Sequence, residues 1–401
     1  MNQLLALDPL LRGSVSWSVL AVVLIKVVVA FVILLVAVML YIWAMRKVIA
    51  DMQNRIGPNR AGPYGVLQTL ADGIKLFFKE QSIPDSADRP VFRLAPYLSI
   101  MPAFLMFCVV PIGGTVSILG HTTYLQVVDL PIGALFILAM SGLGVYGVML
   151  AGWSSGSKYP LLGSVRASAQ LLSYEAAFGL AILGVLIQAG TLSTHEIFLQ
   201  QHWTNAWSFV THWFWLKTCI AFGIFLIAAL AETNHPPFDL VEAEQELVGG
   251  FNTEYTGIRF AIFFLAEFMN VITMSAIAVT LFLGGPSGPS LGFLSANNVI
   301  NVWFLPMIWF LVKVLALLFV TVWVRASLPR IRYDRLMSFG WKWLIEIAIL
   351  WVLVTATVQV ANVENWNAFV AAAVSVVVAL AAYGVLYAAM PKSGELIEEI
   401  R

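Results

Sequence analysis

Apolar residues run along this chain in blocks of about 17 to 25, the length an α-helix needs to cross a hydrocarbon layer roughly 30 Å thick. The blocks lie near 17–43, 94–115, 130–152, 171–190, 212–232, 259–283, 303–324, 342–361 and 368–388. They predict an all-α, polytopic membrane protein with about nine transmembrane helices and a cytoplasmic amphipathic helix. The first block is too long for a signal-peptide core, and its basic pair, Arg46 and Lys47, follows it instead of preceding it. It reads as a retained span.

Basic residues divide the connections into two sets. Those after the odd-numbered blocks carry Arg46, Lys47, Arg55, Arg60, Lys75, Lys79, Arg89, Arg93, Lys158, Arg166, Arg325, Arg330, Arg332 and Arg335, whereas the other set offers little beyond Arg12. The positive-inside rule then puts the N-terminus outside and the C-terminus in the cytoplasm. Residues 1–401 read as one integral membrane domain, with an amphipathic segment at 46–93 and an acidic loop at 233–258 on the cytoplasmic side.

The segment 46–93 has internal pattern. Gly57-Pro58 and Gly62-Pro63 are turn signals that bracket Asn59 and Arg60. From Tyr64 to Glu80, Leu67, Leu70, Ile74, Phe77 and Phe78 recur at helical spacing, with Gln68, Asp72, Lys75 and Lys79 on the other faces. This predicts a helix lying on the membrane surface or against a partner. A plain anchor is the simplest account of such a helix, but an anchor has no need of two rigid turns.

Composition removes several classes of function. With 60% apolar and 11% charged residues and no net charge, nothing suggests nucleic acid or a soluble domain. The only cysteines, Cys108 and Cys219, both lie in apolar blocks, which argues against a disulfide, a CxxC metal site or an iron–sulfur cluster. Any redox cofactor belongs to another chain. The five histidines show no HxxxH spacing, and there is no P-loop, GxSxG or Rossmann fingerprint. The chain alone carries no complete active site. No internal repeat is visible, which weakens a transporter built from duplicated halves.

What remains is a set of ionisable residues in unusual places. Between Lys217 and Arg259 there is no Lys or Arg, yet Glu232, Asp239, Glu242, Glu244, Glu246 and Glu254 all fall there. Carboxylates crowded beside a membrane raise one another's pKa and resist ionising together. A solvated acidic loop is the plain alternative. Glu242 and Glu246 share a face if the segment is helical, and all three central glutamates align if it is extended. Glu175 sits just inside the fourth block among small residues, and Lys26, Lys217, Glu267, Lys313 and Glu346 lie within or at the edge of others. Lys217 can snorkel; for Lys26, Glu267 and Lys313 a polar path and a structural ion pair both remain open. Arg325, Arg330, Arg332 and Arg335 after the seventh block either anchor the chain or face the acids.

Four long strings carry a family resemblance. RIGPNRAGPYGVLQTLADGIKLFFKE, GWSSGSKYPLLGSVRASAQLLSYE, AETNHPPFDLVEAEQELVGGFNTEYTG with FFLAE, and WVRASLPRIRYDRLM occur in the order found in the H subunit of bacterial NADH:quinone oxidoreductase, respiratory complex I, which the chain resembles. The mitochondrial counterpart is NADH dehydrogenase subunit 1. The resemblance implies a subunit at the joint between the redox arm and the membrane arm, forming much of a quinone tunnel and starting a line of buried charges toward the pumping subunits. It implies quinone as substrate, FMN and iron–sulfur clusters held by partner subunits, and no cofactor of its own.

The resemblance also assigns residues. Arg55 and Arg60 match arginines near the quinone path, and the surface helix with Leu67, Leu70, Asp72 and Phe77 would frame the tunnel mouth. Glu175, Glu232, Asp239, Glu242, Glu244, Glu246 and Glu267 match the acids on the proton-coupling side, with Arg325, Arg330 and Arg332 as charge partners. Three positions depart from the family: Met45 where many members have Glu, His235 where many have Arg, and Gln245 where many have Ser. His235 could then titrate near neutral pH. A ninth span favours a bacterial plasma membrane. The related subunit of a membrane-bound hydrogenase and a free-standing ion transporter are the alternatives.

Overall fold

A computed structural model describes residues 8–11, 16–118, 120–202, 212–239, 248–289 and 303–389. The predicted helices are present. Among the described residues, seven are long and apolar enough to cross a membrane: α1 (Trp17–Met52), α3 (Arg89–Cys108), α4 (Gly133–Ser154), α5 (Lys158–Ala189), α9 (Gly257–Phe282), α10 (Leu305–Ser327) and a continuous run, Tyr333–Val363. That run comprises α11 (Tyr333–Phe339), a π turn at Gly340–Leu344 and α12 (Ile345–Val363). The fifth expected position holds a one-turn α7 (Phe214–Lys217) and the 14-residue α8 (Cys219–Glu232). The ninth holds α13 (Ala368–Ala389). Two further helices, α2 (Gln68–Phe78) and α6 (Thr194–Gln200), lie between spans.

Boundaries differ from the apolar blocks where hydropathy and helix propensity part company. The fourth helix begins at Lys158, well before residue 171, because Ser164, Ala167 and Ser168 lower the hydropathy yet are small enough to be buried in a helix. Glu175 is therefore near the middle of α5, not just inside its end. Helix α1 runs on through Arg46 and Lys47 to Met52, because both are good helix formers and no breaker precedes Asn54. The surface helix starts at Gln68, not Tyr64. The preceding residues form a 3-10 turn, Pro63–Gly65, in which Tyr64 has φ 53. Gly65, at φ 77, passes so close to Pro58 that a Cβ would lie 2.3 Å from the Pro58 carbonyl oxygen.

The apolar pattern gives no sign of one further feature. Between α3 and α4 a short antiparallel hairpin pairs β1 (Thr115–Ile118) with β2 (His121–Tyr124), Thr115 opposite Tyr124. It lies at the end of the bundle away from most basic residues and anchors a buried clasp. Lys26 Nζ donates to Asp8 Oδ2 (2.8 Å) and Thr123 Oγ1 (2.9 Å), and the Thr123 hydroxyl donates to Asp8 Oδ2 (2.7 Å). Lys26 is thus in a structural ion pair. Lys313 is not: its ammonium donates to the carbonyls of Leu283 (2.7 Å), Gly285 (2.9 Å) and Ser287 (2.6 Å), closing the C-terminal end of α9, and lies 4.2 Å from the Trp213 ring centre.

Helix α9 is the axis of the bundle. It is apolar but for a few positions such as Glu267 and Asn270, and 72% of its most apolar window is buried, against 22% for α1 and α10. Helices α1, α3, α8 and α10 pack against it, and α4 lies between α3 and α5. Small residues bring α4 close to both: a Cβ on Gly147 would fall 2.2 Å from Ser99 Oγ of α3, and one on Gly152 would fall 2.4 Å from the Pro160 carbonyl of α5.

Candidate functional site

Helices α3, α4, α5 and α9 surround a polar cavity of about 60 Å³ near the end of α8. At roughly 10–15 Å³ per water, that is room for a few waters. Ser99 of α3, Ser141 and Gly144 of α4, Glu232 at the end of α8, Asn234, Asn252, and Glu267 and Asn270 of α9 line it, closed by Phe251 and Phe263. Glu232 is 7% exposed, and its Oε1 accepts from Ser141 Oγ at 2.8 Å. Its Oε2, Ser99 Oγ, Asn234 Oδ1 and Asn270 Oδ1 have no hydrogen-bond partner among the described residues. Four orphaned oxygens on one cavity are all acceptors or hydroxyl, and water satisfies such groups.

The chain after Glu232 is held by α5. Gln170 Nε2 donates to the carbonyls of Ala231 (3.1 Å) and Phe238 (2.9 Å), closing α8 and fixing the turn that follows. Asn234, at φ 53, takes the left-handed conformation that asparagine tolerates. The Ile331 amide bonds the Pro237 carbonyl at 3.2 Å, joining this turn to the segment after α10.

Within the turn His235 is fully buried. Its Nδ1 lies 2.9 Å from the Thr233 carbonyl and so carries the proton; the same atom is 3.5 Å from Glu267 Oε1, and the ring meets Phe268 edge-on at 5.4 Å. Burial, with the Arg325 guanidinium nearby, pushes its pKa down to about 3 despite the Thr233 bond. His235 is therefore neutral, which corrects the expectation of titration near pH 7, and its contact with Glu267 is not an ion pair. Arg325 Nη1 is 3.4 Å from Met45 Sδ, and Tyr41 hydroxyl is 2.9 Å from Thr321 Oγ1, so α1 and α10 meet beside this site.

Glu175 stands on α5 beside Gly142 of α4, where a Cβ would lie 2.7 Å from Glu175 Oε1. Glu175, Glu232 and Glu267 thus flank α4 and α9 in one region. Asp239 is half-buried at the edge of the described loop. Glu242, Glu244, Gln245 and Glu246 lie outside the described residues. Arg330 and Arg332 are exposed, and Arg332 pairs with Asp334 at 3.1 Å.

The profile described as NADH dehydrogenase matches residues 25–356. The chain belongs to the NADH dehydrogenase family. It is 53% identical to the H subunit of the NADH-quinone oxidoreductase of Frankia casuarinae over 338 residues, 84% of this chain and 73% of that one. The corresponding Frankia alni protein is 52% identical over the same shares, and that of Streptomyces avermitilis is 47% identical over 86% of this chain and 75% of its own. The family expected from the four strings is the one found. The chain is a multi-pass membrane component of an NADH-quinone oxidoreductase, an enzyme as a complex, with other subunits of that complex as its partners.

For the other residues that the family resemblance singles out, the placement is mixed. No residue of α2 is buried: Leu70 and Phe77 are exposed, as is Leu67 just before it. Asp72 is tied to the end of α1 by Arg46 (2.7 Å) and accepts from Gln68 (3.1 Å). Partial burial raises the Asp72 pKa, but those hydrogen bonds outweigh it and leave the carboxyl below its ordinary value. Thr69 Oγ1 to the Met39 carbonyl and Trp43 Nε1 to the Tyr64 carbonyl hold the same junction. Arg55 and Arg60 are exposed, Arg55 bonding Gln53 at 2.7 Å. Among the described residues, no group of three His, Cys, Asp or Glu could hold a metal ion. Sequence reasoning missed Ser99, Ser141, Asn234 and Asn270, whose only signal is a polar letter in or beside an apolar run.

Proposed function

We propose that this chain forms the quinone access path of its complex and couples quinone reduction to proton translocation through buried carboxylates. The observation that carries the reading is Glu232, a carboxyl group buried at the end of a span, with one oxygen held by Ser141 and the other turned into a polar cavity that reaches Glu267. An acid placed so deeply is costly unless it holds a proton or shares one, and water in the cavity gives it a route of exchange. Quinone reduction near the end of α1 and α10 demands compensating charge, and Glu267, Glu232 and Glu175 answer it in turn, together with Asp239, Glu242, Glu244 and Glu246. The exposed apolar face of α2, with Arg55 and Arg60, frames the mouth through which an isoprenoid tail enters from the bilayer. Arg325, Arg330 and Arg332 balance the acids. The basic end faces the cytoplasm of a bacterial cell, with the N-terminus outside, and FMN and iron–sulfur clusters belong to partner subunits.

The test is Glu232→Gln in the intact complex, beside Glu242→Gln and Glu246→Gln. Electron transfer from NADH to an artificial acceptor is expected to persist, while quinone reduction and proton translocation fall together. A parental quinone rate and proton-to-electron ratio in Glu232→Gln defeat the reading.

A further inference from the structure

We infer that Ser141 and Gly142, consecutive residues of α4, are positioning residues that set the carboxyl groups of Glu232 and Glu175 in register for proton transfer; this rests on the proposed coupling function. The two acids come from different helices, α8 and α5, and meet α4 at adjacent residues. Ser141 Oγ donates to Glu232 Oε1 at 2.8 Å. Next to it, Gly142 leaves open the space that Glu175 Oε1 occupies, 2.7 Å from where a Cβ would stand. The two carboxyl groups thus meet neighbouring positions on one helix.

Ser141 differs from several other hydroxyls in and beside these spans. Ser155, Ser168, Ser173, Ser275 and Thr280 each donate to the carbonyl four residues back, the usual use of a helix hydroxyl in an apolar setting. Ser141 is 4% exposed and spends its proton on Glu232. The opposite Glu232 oxygen lies at the cavity with no hydrogen-bond partner among the described residues, so the hydroxyl fixes which oxygen exchanges protons and which does not. Gly142 acts on the other acid. Any side chain there must displace a carboxylate tip, which is flexible and moves at little cost to the fold. In the transfer, the O–H bond of the Glu232 carboxyl breaks and one forms on the Glu175 carboxylate, leaving Glu232 ionised and Glu175 neutral; Ser141 keeps its own proton.

The experiment uses the assembled complex in membrane vesicles and redox-induced infrared difference spectra of the purified complex. Glu232→Gln and Glu175→Gln identify each carboxyl stretch by its disappearance. Ser141→Ala is expected to move the Glu232 stretch to higher frequency and to slow coupled quinone reduction about tenfold, the kinetic equivalent of one hydrogen bond. Ser141→Thr, which restores the hydroxyl, brings both back. Gly142→Ala favours the helix, so assembly survives, and it is expected to shift the Glu175 stretch and lower the proton-to-electron ratio with NADH oxidation by an artificial acceptor unchanged. If both stretches and the ratio stay parental in Ser141→Ala and Gly142→Ala while Glu232→Gln abolishes coupling, the positioning role is overturned and the coupling reading stands. If Glu232→Gln itself is parental, both fall.

Discussion

Replacing Lys313 by Met separates a structural cation from a conducting one. The ammonium donates at 2.7, 2.9 and 2.6 Å to three carbonyls just past the end of α9 and rests on the Trp213 ring. Hydrogen bonds to a charged group contribute about 1.5–3 kcal/mol each, and the cost of burying the cation removes a large part of that sum. Met fills the same volume without a donor and leaves the carbonyls without Lys313. The expected net loss is about 3 kcal/mol, which corresponds to roughly two orders of magnitude in an unfolding rate. The assay is the half-life of quinone reductase activity of the solubilised complex at fixed temperature, read beside the proton-to-electron ratio in vesicles. A shortened half-life with a parental ratio is expected. A parental half-life with a collapsed ratio refutes the capping argument and puts Lys313 on a proton path.

Other consequences follow from burial. His235, with its pKa near 3, contributes a penalty that grows as pH falls below its unfolded value of about 6.5, because the unfolded chain binds the proton and the folded one does not. Between pH 8 and 5 this amounts to about 2 kcal/mol, and His235→Gln should flatten the thermal stability of the complex over that range without moving the pH dependence of quinone reduction; an unchanged stability slope sinks the assignment. Asp129, whose pKa burial pushes up to about 6 against the bond from Ser193, has the opposite sign. Its penalty of about 3 kcal/mol is absent below pH 4 and complete above pH 6, so Asp129→Asn is expected to stabilise the complex at pH 7 and not at pH 4, and equal effects at both would contradict it. Leu70→Trp or Phe77→Trp should slow long-tailed quinones more than short ones; equal rates for both reduce α2 to an anchor.

The sequence made the spans and the acids legible for one physical reason, the cost of polar groups in hydrocarbon. Charged letters inside apolar blocks, Lys26, Glu175, Glu267 and Lys313, announce themselves because they are rare and expensive there. What they pair with was not legible. The Lys26 partner, Asp8, precedes the first block, and the Lys313 partners are backbone carbonyls that carry no letter at all. Ser141 was hidden for a different reason: a serine that bonds its own helix and one that bonds a carboxyl on the next helix are written identically, and only the approach of α8 decides between them.

The departures from the family motif make the same point in the other direction. Met45 and His235 are far apart in the sequence and read there as two separate losses, one of an acid and one of a base. In the fold both fall around Arg325, whose Nη1 contacts Met45 Sδ at 3.4 Å and whose charge helps hold His235 neutral. An arginine at 235 without an acid at 45 would bury two guanidinium groups near one another with Glu267 as the acid close to hand, which desolvation makes costly. A neutral imidazole bonded to Thr233, with a methionine against Arg325, avoids that cost and leaves the net charge of the region unchanged. The two positions therefore share one neighbour, Arg325. Restoring either charge alone, by His235→Arg or Met45→Glu, should destabilise or uncouple the complex more than restoring both, and a double variant worse than each single one would show that the two positions do not share Arg325.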